Sequence, residues 1–258
     1  MTDTSVPTDK IALVTGGSRG LGRNTAVNLA RRGVGVILTY NAQREAATSA
    51  VAEIEAAGPK AVALQLDTGK VAGFDAFADQ VGAALGETWG RERFDFLVNN
   101  AGVGLGAPFP EITEAMFDEL MNVHLKGVFF LTQRLLPLLE DGGRIVNLSS
   151  GLTRFTHPGA SVYASMKAGV EALTRYLAKE LGERGIAVNT VAPGAIATDF
   201  GGGVIRDNPA RNRGVADATA LGRAGVPDDV GPMIAALLSD ENRWINGQRI
   251  EVAGGAYL

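Results

Sequence analysis

Apolar residues along this chain follow two alternating rhythms. Short runs rich in Val, Ile and Leu stand at 11–15, 34–39, 61–66, 94–99, 144–148, 186–191 and 249–252, and the first of them is continuously apolar up to Thr15. A strand covered on both faces reads this way, because neither face tolerates polar side chains. Other stretches carry apolar residues near helical spacing. Residues 20–32 present Leu21, Thr25, Val27, Leu29 and Ala30 and stop at Gly33, and an Ala/Glu-rich stretch at 41–57 stops at Gly58-Pro59. Longer helical patterns are predicted over 113–139, 160–183 and 228–238. Strand and helix in alternation imply parallel strands with right-handed crossovers. The prediction is therefore one α/β domain over 1–258, a doubly wound parallel seven-stranded sheet flanked by helices, with a flexible start over 1–9. One break remains, 194–226, which holds seven glycines and few apolar anchors. So long an irregular segment in a compact domain predicts a substrate lid.

Composition narrows the function classes. Hydrophobic residues make up 46% and charged residues 20% of the 258, which excludes a disordered chain. Cysteine is absent, so disulfides, thiolate nucleophiles and Cys-ligated metals are excluded, and two histidines, His124 and His157, argue against a metal site. The formal charge of −4 disfavours non-specific nucleic-acid binding. Apolar stretches such as 34–38 and 127–131 fall far short of the ~20 residues that span a bilayer, and 1–10 lacks an apolar signal core. A cytoplasmic enzyme is the expectation. Glycine, 34 residues of 258, is nearly twice its usual ~7% and has to be explained by position.

The first strand runs into Thr15-Gly16-Gly17-Ser18-Arg19-Gly20-Leu21-Gly22 and then a helix. A strand–glycine turn–helix aims helix N–H groups at a pyrophosphate, and missing Cβ atoms let the backbone approach it. The G-x-x-x-G-x-G spacing differs from the G-x-G-x-x-G fingerprint, and a tight turn needing positive φ is the competing reading. At the end of the second strand, Thr39-Tyr40-Asn41 offers no carboxylate to hold a ribose diol. Nothing there repels a 2′-phosphate, and Arg19 and Arg44 are available to meet one, so NADP(H) is preferred over NAD(H). Alternatively, both arginines are solvated surface charges.

Tyr163 and Lys167 are four residues apart at the start of a predicted helix, hence on one face. An ammonium near a phenol favours phenolate and eases proton exchange at neutral pH. Alone, Y-x-x-x-K is a weak signal. Its context is specific: the TGGSRGLG turn, Asn99-Asn100-Ala101-Gly102, Asn122, Ser150, Tyr163-Ala164-Ser165-Met166-Lys167 and Pro193-Gly194 follow in order. Together they resemble the short-chain dehydrogenase/reductase family over nearly the whole chain, most of all its 3-oxoacyl-[acyl-carrier-protein] reductase-like members.

The resemblance implies a Rossmann-type fold and hydride transfer between nicotinamide and a ketone or secondary alcohol, with no metal. It assigns Ser150 to orienting the carbonyl, Tyr163 to proton exchange, Lys167 to the nicotinamide ribose and the phenol, and Asn122 to a proton relay. Ser149 is one residue out of register. It places Gly16, Ser18, Arg19, Gly20, Leu21, Gly22, Tyr40, Asn41, Asp67, Asn99, Ala101, Gly102, Tyr163, Lys167, Pro193, Gly194 and Thr198 around the cofactor. Asp67 also reads as a helix cap. A homotetramer paired through the helices at 113–139 and 160–183 is implied as well, with 248–258 at another interface.

Several rivals compete. A Ser–His–Asp hydrolase lacks the G-x-S-x-G elbow around Ser150. An NAD-dependent alcohol or sugar dehydrogenase of the same family, and a catalytically silent NADP(H)-binding regulator, stay open. Acyl carrier protein is acidic, and Arg184 matches a docking position, but Glu140-Asp141 puts the opposite charge at the other. Phe155, Phe200 and Ile205 are candidates for an apolar substrate pocket, with His157 beside it.

Overall fold

A computed structural model describes residues 9–258, so the expectation for the N-terminal start lies outside it except at Asp9. Seven parallel strands form one sheet: β1 (Ile11–Val14), β2 (Gly35–Tyr40), β3 (Ala61–Gln65), β4 (Phe94–Asn99), β5 (Leu139–Leu148), β6 (Ala187–Pro193) and β7 (Arg249–Val252). Their spatial order is β3-β2-β1-β4-β5-β6-β7, with β1 paired to both β2 and β4. The strand sequence reverses between β1 and β4, which opens a crevice at the carboxyl ends of those strands.

Alternation along each strand explains the two-sided burial. Ala12 and Val14 of β1, with Val36 and Leu38 of β2, point to one face, which is covered by α1 (Gly20–Ala30), α2 (Arg44–Ala56) and α9 (Gly231–Leu237). Ile11, Leu13 and Ile37 point to the other face, under α3 (Phe74–Trp89), α5 (Gly127–Leu135) and α6 (Ser161–Glu180). All four residues of β1 are fully buried, as an unbroken apolar run requires.

Four stretches differ from the sequence reading. Helix α3 was missed, although Phe74, Phe77, Val81 and Leu85 recur at helical spacing and are buried together. Residues 113–139 do not form one helix. They divide into α4 (Glu114–Met121), a π-helical turn at Asn122–Lys126 and α5, and β5 then starts at Leu139, five residues earlier than expected. The segment 194–226 is not irregular throughout, since it contains α7 (Val204–Asp207) and α8 (Pro209–Asp217). Asn208 caps α8 by accepting from the Ala210 and Arg211 N–H groups, and Pro209 occupies the first turn, where its missing N–H costs nothing. In front of α7, Gly201, Gly202 and Gly203 all have φ between +61° and +77°, a conformation that suits only glycine.

Candidate active site

A cleft of about 950 Å³ opens along the carboxyl ends of the strands, from the glycine turn at one end to Phe155 and Tyr257 at the other. Its first wall is built by the turn after β1. The Gly16 N–H donates to Thr39 Oγ1 at 3.0 Å and the Gly17 N–H to the Thr39 carbonyl at 2.9 Å, which folds the turn onto the end of β2. Thr15 Oγ1 accepts from the Asn100 and Ala101 N–H groups, and Asn100 Nδ2 donates to the Thr15 carbonyl at 2.9 Å. The turns after β1 and β4 are thus stitched together around the switch point. A Cβ on Gly22 would stand 2.2 Å from the Gly16 carbonyl oxygen, and one on Gly16 would stand 3.0 Å from the Ala101 Cα, so both positions depend on close backbone approach. Helix α1 starts at Gly20 without a side-chain cap, and Gly20, Leu21 and Gly22 of its first turn line the cleft. Uncapped donors at a positive helix end, beside a cradle that side chains would fill, fit the pyrophosphate of a dinucleotide.

Tyr40 and Asn41 border the same region, and no carboxylate lies at the end of β2. Arg19 lines the cleft but is paired with Asp199 Oδ2 at 2.5 Å, which ties the glycine turn to the segment after β6. Arg44, the first residue of α2, does not border the cleft. Asp67 lines it and also holds its own turn, accepting from the Gly69 N–H at 3.0 Å and pairing with Lys70 at 3.0 Å. At the far side Pro193 ends β6, the Gly194 N–H donates to the Val252 carbonyl, and Thr198 Oγ1 accepts from the Phe200 N–H. All three border the cleft.

The reactive side chains meet mid-cleft. Neighbouring serines after β5 diverge: Ser149 turns inward to donate to Glu171 Oε1 at 2.6 Å, whereas Ser150 caps the short turn Gly151–Thr153, its Oγ accepting from the Leu152 N–H. Glu171 Oε1 also accepts from Thr153 Oγ1 and Arg249 Nε, which fastens the Ser150 loop to α6 and β7. Tyr163 and Lys167 project from the first turns of α6, and the Lys167 ammonium, buried, donates to the Leu148 carbonyl at 2.7 Å. That ammonium lies 5.7 Å from the centre of the Tyr163 ring. Burial pushes the Tyr163 phenol up to about 12, with the Ser150 hydroxyl pulling the other way. Burial lowers Lys167 to about 8. The phenol is therefore a protonated hydrogen-bond donor at neutral pH, not a phenolate.

Two expected residues lie off the cleft. Asn99 is buried under β4, where its Nδ2 donates to Asn147 Oδ1 at 2.8 Å and Thr132 Oγ1 at 3.0 Å, and its neighbour Asn100 borders the cleft instead. Asn122 opens the π-helical turn, its carbonyl accepting from the Gly127 N–H, and its side chain does not line the cleft. His124, two residues on, does. Fully buried, it sets its ring edge-on to Tyr163 with centroids 5.0 Å apart, and a Cβ on Gly102 would come within 2.7 Å of its Cε1.

The far end of the cleft is apolar and aromatic. Phe155 and Tyr257 pack with centroids 4.5 Å apart, Phe200 lies 6.1 Å from Tyr163, and Ile205 completes this wall beside His157. Arg154 fixes the wall by donating to the Ala256 and Tyr257 carbonyls and to both oxygens of Glu251. Arg184, the expected carrier-protein contact, is spent internally: it donates to Asp141 at 2.7 Å and to the Leu136 and Leu139 carbonyls. Among the described residues no cluster of His, Asp or Glu suits a metal, and no helix is long and apolar enough to cross a membrane.

Residues 16–257 match a protein family described as Enoyl-(Acyl carrier protein) reductase. The tetrahydroxynaphthalene reductase PfmaG of Pestalotiopsis fici is 35% identical over 257 residues, covering 95% of this chain and 91% of its own. The promiscuous reductase LugOII, which catalyses keto-reduction at C1 in lugdunomycin biosynthesis, superposes with a TM-score of 0.93 at 38% identity, covering 98% of this chain and 99% of its own. The angucycline C-6 ketoreductase LanV, with bound NADP, gives a TM-score of 0.92 at 35% identity, covering 97% and 96%. With this sheet order, this glycine turn and these relatives, the chain belongs to the short-chain dehydrogenase/reductase family, as an oxidoreductase of the ketoreductase kind.

Proposed function

We propose that this protein is an NADPH-dependent ketoreductase acting on flat, polycyclic aromatic ketones of the kind its relatives reduce. The observation that carries the reading is the convergence of Ser150, Tyr163 and Lys167 in one cleft with the uncapped glycine turn. Gly16, Ser18, Gly20, Leu21, Gly22, Tyr40, Asn41, Asp67, Ala101, Gly102, Pro193, Gly194 and Thr198 would hold the dinucleotide. When bound, NADPH supplies a hydride to the carbonyl carbon. Ser150 and Tyr163 donate hydrogen bonds to the carbonyl oxygen, and these strengthen as the oxygen gains charge, so they lower the barrier rather than tighten ground-state binding. Tyr163 then gives up its proton to that oxygen, and Lys167 holds the emerging phenolate by charge. A phenol raised to about 12 by burial is protonated at neutral pH and has the proton to donate.

Support for NADPH over NADH comes from Tyr40 and Asn41, where a ribose-binding carboxylate would sit. Arg19 meets the 2′-phosphate by exchanging Asp199 for it. Phe155, Phe200 and Tyr257 line the cleft and suit an apolar, planar substrate. The segment 194–226, with α7 and α8, serves as the lid of this pocket. Carrier-protein docking is unsupported, because Arg184 is committed to helix-end carbonyls and Asp141. Exposed Phe129 on α5 and Tyr176 on α6 support pairing of these helices in a homotetramer.

A panel of polycyclic aromatic ketones, simple ketones and 3-oxoacyl thioesters, run with NADPH and NADH, tests the proposal. Tyr163→Phe is expected to lose about 10²- to 10⁴-fold in kcat with NADPH binding intact. Equal turnover by that variant sinks the mechanism, and activity confined to thioesters sinks the substrate class.

A further inference from the structure

Glu171 follows Lys167 by four residues and Tyr163 by eight, so one stripe of α6 carries the phenol, the ammonium and a carboxylate in line. The first two border the cleft and the third does not. Its side chain is only 13% exposed, and a single oxygen gathers three donors: Oε1 accepts from Ser149 Oγ at 2.6 Å, Thr153 Oγ1 at 2.7 Å and Arg249 Nε at 2.8 Å. Among the described residues Oε2 makes no hydrogen bond.

The three donors bracket Ser150. Ser149 precedes it, Thr153 closes the short turn that follows it, and Arg249 Nη2 reaches the Ser150 carbonyl at 3.3 Å. Thr153 has one hydroxyl hydrogen and two acceptors in range, Glu171 at 2.7 Å and the Ser150 carbonyl at 2.9 Å. The carboxylate takes it, because a charge-assisted bond is the stronger. Inside this bracket Ser150 Oγ accepts from the Leu152 N–H at 3.2 Å, which leaves its own hydrogen for the cleft. The fold has other ties at this point. The Ser149 N–H donates to the Val191 carbonyl at 2.7 Å, Ser149 Oγ lies 3.4 Å from the Lys167 carbonyl, and Arg249 keeps Glu251 at 2.8 Å. Loss of the carboxylate therefore releases the clamp on Ser150 more than it releases β5 or β7.

We infer that Glu171 is the positioning residue that sets Ser150 against Tyr163. It holds both flanks of the serine from the same helix that carries the phenol, so one rigid element fixes the separation of the two hydroxyls. The catalytic consequence rests on the proposed ketoreductase reading, but the bracket itself does not.

A double-mutant cycle on the full-length protein tests the role. Glu171→Leu should lower kcat for ketone reduction about 10- to 100-fold, with KM and the NADPH Kd within about twofold, because a misplaced donor is felt mainly in the transition state. In a Ser150→Ala background the same substitution should cost less than about threefold, since the hydroxyl it positions is gone. Glu171→Gln keeps an acceptor oxygen and puts its NH₂ where Oε2 has no partner, so it should recover most of the loss. Wild-type kcat in Glu171→Leu, or an equal loss with and without the Ser150 hydroxyl, overturns the inference. If the leucine variant fails to fold, Thr153→Val removes one of the three donors at constant shape, and its smaller loss should likewise vanish in Ser150→Ala. Hydrogen exchange of the free protein gives a reading independent of turnover: Glu171→Leu should speed exchange in peptides covering 151–155 and leave those covering 15–22 unchanged. Unchanged exchange over 151–155 overturns the bracket. Failure of the wild type to reduce any ketone sinks the ketoreductase reading alone, and the exchange result still decides whether Glu171 holds the loop.

Discussion

Replacing Gly22 by alanine adds one methyl group at the tightest point of the cofactor cradle. The new Cβ would lie 2.2 Å from the Gly16 carbonyl oxygen and 2.5 Å from Asn100 Nδ2. Reaching ordinary contact requires the Gly16 peptide to retreat by about 1 Å. Asn100 Nδ2 has to give way too, which weakens its bonds to the Thr15 and Gly16 carbonyls, each worth about 1 kcal/mol. Overpacking of this kind costs about 1–3 kcal/mol, and alanine returns about 1 kcal/mol through helix propensity. The net expectation is about 2 kcal/mol of lost stability, or a Tm lower by about 4–8 °C. Function should suffer more, because on the proposed reading the displaced Gly16 peptide and the first N–H groups of α1 would frame the pyrophosphate. The NADPH Kd, followed by fluorescence titration, should rise at least about tenfold, equivalent to about 1.4 kcal/mol. Gly86→Ala is the control: in the last turn of α3 its Cβ meets nothing within 4 Å, and it should gain about 0.5–1 kcal/mol without touching NADPH affinity. An unchanged Tm and an NADPH Kd within twofold of wild type in Gly22→Ala would refute the close-approach reasoning.

Two other outcomes follow from the site. Tyr40→Asp should raise the KM for NADPH at least about tenfold and spare NADH, with Tyr40→Ser subtracting the effect of losing the ring; equal losses for both cofactors would show that the 2′-phosphate lies elsewhere. Acid stability should carry the signature of His124. Its folded pKa is held down to about 3 while the unfolded imidazole titrates near 6.5, so the unfolded chain binds the extra proton between these values. This contribution is complete above pH 6.5 and is lost as the pH falls toward 3, and urea midpoints across that window should be flatter in His124→Asn than in wild type.

The fold was largely legible because its strands are buried on both faces. Ile11–Val14 reads as an unbroken apolar run and Phe94–Asn99 as an apolar run interrupted at Asp95, and both sit at the centre of the sheet. Local pattern was weaker where backbone geometry departs from the regular period. A π-helical turn adds nearly one residue per turn, so no 3.6-residue rule over 113–139 could show that His124 and not Asn122 faces the cleft. Asn99 and Asn100 are likewise indistinguishable in sequence, and only pairing of β4 with β5 sends the first to Asn147 and leaves the second at the crevice. The glycines of 194–226 read as looseness, yet three of them supply the left-handed turns that let α7 and α8 form beside the pocket. The glycine cradle and the Tyr163/Lys167 spacing were plain because their geometry is local to one turn and one helix.

The contact between Gly102 and the His124 ring also constrains how this sequence can change. With Cε1 only 2.7 Å from where a Cβ would stand, position 102 is not free to enlarge while the ring keeps its place. Any route from glycine to a larger residue at 102 has to pass first through a smaller residue at 124, and while histidine stays, glycine stays with it. The two positions, 22 residues apart in the chain, therefore change in a fixed order: combinatorial libraries that enlarge 102 while keeping His124 meet the clash, and libraries that vary the two as a pair avoid it.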